Sequence, residues 1–145
     1  MSEEIAQRFK TFMEFWNTQR LELADEVASP ELVYHVPPFP DGGIGELKGI
    51  CEGLRPIQNF GVVSIGEDLI VGNRSVHQWQ VTGTWTTPTT VFPGEPTGQT
   101  ARAFGVLLCQ WENGKMTELW HHGDWLNWWA TAGADLAAGA AAIVG

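Results

Sequence analysis

The chain has 145 residues, 43% of them hydrophobic, with 17 acidic against 8 basic side chains and a net charge of −9. This length fits one compact domain and leaves no room for a second, and the negative charge argues against both a nucleic-acid surface, which needs a basic patch, and an anionic membrane surface. No apolar run reaches membrane-spanning length, the acidic start Ser2-Glu3-Glu4 lacks the order of a secretory signal, and Cys51 and Cys109 stand far apart without metal-ligand spacing; the expectation is a cytoplasmic protein with reduced thiols, no metal, and a neutral or apolar small molecule as partner.

From residue 3 to about 27, Ile5, Phe9, Phe12, Met13 and Trp16, then Leu21, Leu23 and Val27, recur close to helical spacing as far as Trp16. That predicts an amphipathic helix followed by a second, short one. Ser29-Pro30 breaks the helix, Glu31 to Val36 alternates as a short strand, and Pro37 to Gly43 forces a loop that carries Phe39 as a candidate pocket lip. A third helix is read over Gly49 to Phe60, with Cys51, Leu54 and Ile57 on one side and Pro56 in its first turn or at its end.

From Val62 the period becomes two. Val62 to Val71 is a strand interrupted at Gly66-Glu67-Asp68, and Gly72-Asn73 is a hairpin turn signal. Arg74 to Trp85 is a long strand, Thr86 to Thr100 a Pro/Gly/Thr-rich loop, and Ala101 to Trp111 a strand; Glu112-Asn113-Gly114 is a tight turn before the last strand, Lys115 to Gly123. A closing helix starts near Trp125, and the Ala/Gly-rich tail after Gly133 has no aromatic anchor, so it frays or packs only in an oligomer. Helices first and then a run of antiparallel strands define the α+β class, with one domain over 1–133 and a tail over 134–145.

Asp124 closes a strand otherwise built from apolar and aromatic residues. Burial there disfavours the charged carboxylate and raises its pKa towards the range useful for proton transfer near neutral pH. The same residue suits the N-cap of the helix starting at Trp125, and the two roles are compatible. His77 shares a face with Trp79 and Val81 by alternation, as a hydrogen-bonded core residue or as a group aimed at a pocket. His122 shares parity with Trp120 and Asp124; either it tunes the carboxylate or holds a substrate carbonyl, or one histidine of the His121-His122 pair is solvated while the other packs. Tyr34, the only tyrosine, is a candidate donor or an ordinary half-buried strand residue. Eight tryptophans, four of them at Trp120, Trp125, Trp128 and Trp129, are core, pocket wall, or both.

Several segments in order carry a resemblance. They are Ser29-Pro30-Glu31-Leu32-Val33-Tyr34-His35 before a proline loop, Gly72-Asn73-Arg74 opening a strand that holds Trp79, Gly83-Thr84-Trp85, Pro96-Thr97-Gly98, Gly105, and Gly114 to Trp120 followed by Asp124. Together, over residues 5 to 133, they resemble the SnoaL-like polyketide cyclases of the nuclear transport factor 2-like superfamily, which also holds ketosteroid isomerases, scytalone dehydratases and limonene epoxide hydrolases.

The resemblance implies a cone-shaped α+β barrel, a curved antiparallel sheet packed on N-terminal helices around an apolar cavity. It also implies a homodimer, no metal or organic cofactor, and ring closure of a polyketide-type substrate in antibiotic biosynthesis. The aspartate matching Asp124 removes a proton beside a carbonyl, and the enolate attacks a second carbonyl of the same molecule. Candidate catalytic residues are then Asp124, His77 and His122. Gln110 resembles a polar pocket position and joins Trp79, Trp120, Trp16, Phe39, Tyr34, Phe104 and Trp125 as candidate substrate-binding residues. Relatives typically carry an aliphatic residue at the position of His77, which makes that histidine an added polar group. Epoxide hydrolysis is disfavoured because only one carboxylate, Asp124, is placed inward. A pericyclase that folds a polyene for [4+2] closure, and a small-molecule binding module, are the alternatives.

Overall fold

The structure, a computed structural model, describes residues 2–137 and 140–141. Glu3 and Glu4 complement the positive end of α1 (Ser2–Thr18), whose apolar stripe of Ile5, Phe9, Phe12, Phe15 and Trp16 is buried. The stripe is a chain of ring contacts, with centroids 5.7 Å apart for Phe12 and Phe15 and 4.9 Å for Phe15 and Trp16. Gln19 turns the chain at φ 56°, and the short α2 (Leu23–Val27) leads directly into β1 (Ala28–His35). Pro30 is tolerated inside β1 because this strand lies at a sheet edge, where a missing N–H breaks no ladder.

The third helix lies earlier than expected. α3 spans Ile44–Gly53, and Glu46 fixes its start by accepting the Gly43 N–H at 2.7 Å. The stretch through Leu54 and Pro56 is turn, so Gly49 to Phe60 is the end of one element and the start of the next. Proline after a helix removes a donor that the helix would need, which explains the boundary.

Four strands follow: β2 (Gln58–Val71), β3 (Arg74–Thr84), β4 (Thr100–Glu112) and β5 (Lys115–Gly123), then α4 (Leu126–Thr131). The sheet order is β1-β5-β4-β3-β2. Neighbours from β2 to β5 are antiparallel, but β1 runs parallel to β5, a correction to the all-antiparallel expectation. No hairpin joins these two; everything from α3 to β4 serves as the crossover that parallel pairing requires. Gly66 does not interrupt β2; it sits at φ 74° in a bulge where the register shifts between Ile65 and Leu69. Asn113 and Gly114, at φ 52° and 75°, close a two-residue turn that pairs Glu112 with Lys115.

A second bulge decides the site. Trp111 pairs with Met116 while Gln110 pairs with Glu118, leaving Thr117 as an extra residue on β5. Side chains therefore change sides there: Met116 is buried, then Leu119 and His121 are buried, while Trp120 and His122 face outward. The inner face, including Trp79, Val81, Ala103, Leu107 and Leu119, packs against α1 and α3 in one core. No helix among the described residues is long and apolar enough to cross a membrane. Of the predicted tail, Ala134 packs on the core, and residues 138–139 and 142–145 lie outside the described residues.

Candidate active site

Between the helices and the sheet lies a small apolar cavity of about 30 Å³. Met13 and Trp16 of α1, Ile50 of α3, and Trp79 and Val81 of β3 supply part of its wall; Val91 and Phe92 from the β3–β4 loop and Trp125 supply more. Phe92 is fixed by stacking on Trp128 at 4.1 Å, and Trp125 by donating its indole N–H to the Pro37 carbonyl at 3.1 Å. Among the described residues, one ionisable side chain lines this cavity, His121.

The imidazole of His121 stands edge-on to three indoles, with centroids 5.8 Å from Trp16, 5.3 Å from Trp79 and 5.5 Å from Trp125. Its Nδ1 lies 2.7 Å from the hydroxyl of Tyr34, which is fully buried behind it. Burial, with a smaller contribution from the neighbouring His122, pushes the His121 pKa down to about 3, so the ring is neutral. Burial, reinforced by Cys51, holds the Tyr34 pKa well above 10, so the phenol keeps its proton. A buried O–H must donate, and among the described residues Nδ1 is the one acceptor within reach. The proton of His121 therefore sits on Nε2, an N–H available to a molecule in the cavity.

The predicted residues divide. Trp16, Trp79 and Trp125 line the cavity, and Tyr34 backs it through His121. Asp124 is exposed, not inward in apolar surroundings: its Oδ1 accepts the Asn127 N–H at 3.3 Å at the start of α4. His122 is exposed on the outer face; Trp120, on the same face, stacks on His35 at 5.4 Å. Gln110 also faces out and accepts from Arg74 Nε at 2.7 Å, and Phe104 lies under the Arg102 guanidinium at 6.0 Å. Phe39 packs against the core outside the cavity. These residues share the wrong parity or the wrong side, and for β5 the Thr117 bulge is the reason.

His77 is inward and fully buried, as its face with Trp79 implies, but it belongs to a separate polar cluster. Its Nε2 is 2.7 Å from Ser75 Oγ, which also accepts the Trp111 indole N–H at 2.8 Å, and its Nδ1 is 2.8 Å from Asp68 Oδ1. The Phe9 ring stacks on it at 3.4 Å. Burial lowers the His77 pKa, and Asp68 only partly opposes this. No group of three or more His, Cys, Asp or Glu side chains is gathered for a metal among the described residues. The sequence did not single out the aliphatic and phenylalanine part of the wall, such as Met13, Ile50 and Phe92, nor its one ionisable member among the described residues, His121; the signal for His121 is the break of alternation at Thr117, which needs the register to be seen.

The sequence over residues 6–130 matches the family model of the SnoaL-like polyketide cyclases. The chain belongs to the SnoaL-like polyketide cyclase family. Among solved structures similar to this member, TsrD from Streptomyces laurentii superposes with a TM-score of 0.81 at 16% identity, covering 93% of this chain and 98% of that one. IdmH from Streptomyces antibioticus, provisionally named a polyketide cyclase, gives 0.76 at 17% identity, covering 90% and 99%. A protein of Acidithiobacillus ferrooxidans with the same provisional name gives 0.75 at 20% identity, covering 91% and 96%. Comparison with curated proteins gives no match. At these identities the likeness establishes the fold: N-terminal helices packed on a curved five-stranded sheet.

Proposed function

We propose that this SnoaL-like protein is a cofactor-independent cyclase that closes a ring within an apolar, polyketide-type substrate folded in the cavity, with His121 donating from Nε2 to a substrate carbonyl oxygen. The observation that carries the reading is that His121 is the one ionisable group on the cavity wall and that Tyr34 fixes its tautomer. A neutral imidazole N–H polarises a carbonyl without a charge that the apolar wall would have to solvate. In an aldol closure of a poly-β-ketone that enters as its enol, the enol carbon bonds to the second carbonyl carbon, the enol C–O becomes a carbonyl, and the enol O–H proton ends on the new oxygen; atoms balance without a base or a cofactor. Holding the two ends together supplies several kcal/mol.

A [4+2] closure of a polyene is the second reading, favoured by the lack of a carboxylate among the lining residues. It needs only shape and one donor. Asp124 is assigned the N-terminal cap of α4 in both readings.

The test is turnover of linear poly-β-ketone and polyene esters by wild type, His121→Gln and Asp124→Asn, with melts confirming folding. A folded His121→Gln slowed about 10²-fold or more, with Asp124→Asn near wild type, supports the assignment; the reverse pattern overturns it. A product from polyenes alone selects [4+2] closure, and binding without turnover selects a binding module.

We also infer a homodimer through the outer face. Leu69, Val76, Leu108 and Trp120 stand in matched register across four strands, with Leu69 62% exposed. Arg74 and Glu118 flank the row on β3 and β5, so a two-fold axis along β4 would pair each with its opposite on a second copy. Leu108→Glu should then shift the sedimentation of the wild type from dimer to monomer; a monomeric wild type refutes the inference.

A further inference from the structure

The cavity is too small for the substrate class just proposed. Its volume of about 30 Å³ holds about one water, whereas sites for organic ligands span roughly 300–1,000 Å³. The missing space lies next door. An open groove of about 450 Å³ runs along the seam between α1 and the edge strand β2, and Met13 and Val62 wall both the groove and the cavity.

The seam is clamped at two points. Near one end, Asn17 pairs with the strand edge like a neighbouring backbone: its Nδ2 donates to the Val62 carbonyl at 2.9 Å and its Oδ1 accepts the Val62 N–H at 2.7 Å. Near the other, Phe9 of α1 stacks on His77, whose Nδ1 faces Asp68 on the β2 bulge. Between the clamps, the partition is carried largely by Met13, an unbranched side chain that changes rotamer readily.

We propose that groove and cavity form one binding site, entered through the α1–β2 seam, in which Met13 swings aside and an elongated ligand lies with its apolar end against His121 and its polar end in the groove. The proposal deepens the cyclase reading, on which the nature of the ligand rests. The groove lining holds charges of both signs, Lys10 with Glu14 and Asp68, beside Thr18, Asn17 and Ser64, a mixed polar wall that suits an uncharged, hydroxylated or amide-bearing end. The apolar end leaves bulk water for the joined space that opens when Met13 moves, beside His121, and the ring closes there.

The seam is tested with prodan, a neutral, elongated aromatic ketone whose emission shifts in apolar surroundings, mixed rapidly with the full chain. Asn17 lines the groove but not the cavity, so Asn17→Ala loosens the clamp without reshaping the inner wall. About a tenfold rise in both association and dissociation rates is expected for Asn17→Ala, and about a tenfold slower association for Met13→Trp. Unchanged rates in both variants, with faster association in Phe92→Ala on the loop side, overturn the proposal, as does no prodan binding by any of them. Gated binding without turnover of any ester leaves the seam standing and sinks the cyclase reading; turnover with rates indifferent to the seam does the reverse.

Discussion

Acid should destabilise this protein largely through His121. Its pKa is pushed from 6.5 down to about 3 by burial, so the unfolded chain binds a proton there that the folded chain refuses. Stability is complete above pH 6.5 and falls as pH drops towards 3, at up to about 1.4 kcal/mol per pH unit. At pH 5 the loss from this residue is roughly 2 kcal/mol, or about 4–8 °C in Tm for a chain of this length. His77, also lowered by burial, acts in the same direction. His35 acts in the opposite one: the hydrogen bond to Glu118 raises its pKa, so its contribution is full below 6.5 and is lost as pH rises through the folded value. The assay is a pair of melts at pH 7 and pH 5 for wild type and His121→Gln, beside the His Cε1 resonances followed over the same range. The variant should lose several degrees less than wild type, and the His121 resonance should not move. A His121 resonance that titrates near 6.5, or a variant with the full acid sensitivity, would refute the buried neutral ring and with it the assigned role.

Tyr34→Phe leaves Nδ1 of His121 buried without its donor, which should cost about 1–3 kcal/mol of stability and lower kcat more than it raises KM, because the ring loses the partner that fixes its tautomer. In Gly105→Ala the new Cβ meets both the Trp79 ring and the His122 carbonyl oxygen, so a loss of about 1–3 kcal/mol and a shifted tryptophan emission are expected. Asp124→Ala should cost about 0.5–2 kcal/mol by calorimetry, the value of a helix cap, and leave ring closure intact. Cys51 and Cys109 are buried thiols whose pKa values burial pushes up to about 12, so a thiol reagent should label neither until the chain is unfolded.

Elements with strong local signals were legible in the sequence, and so were the cavity residues they carry. Trp16 follows from helical spacing in α1, Trp79 from clean alternation along β3, and Trp125 from the start of α4. The Asn113-Gly114 turn was legible too, but it sets the pairing of only the first residues of β5. That turn pairs Trp111 with Met116, both buried, and an unbroken count of two along β5 from Met116 places Glu118, Trp120 and His122 inside. The single extra residue at Thr117 reverses the count and turns His121 inward in their place. Alternation counts residues, whereas a sheet is organised by partners, and a bulge is visible only in the pairing. Two adjacent histidines at the end of a strand thus differ by a pKa near 3 for one and an exposed position for the other, and the difference is set four residues before the first of them, at a threonine with no chemistry of its own.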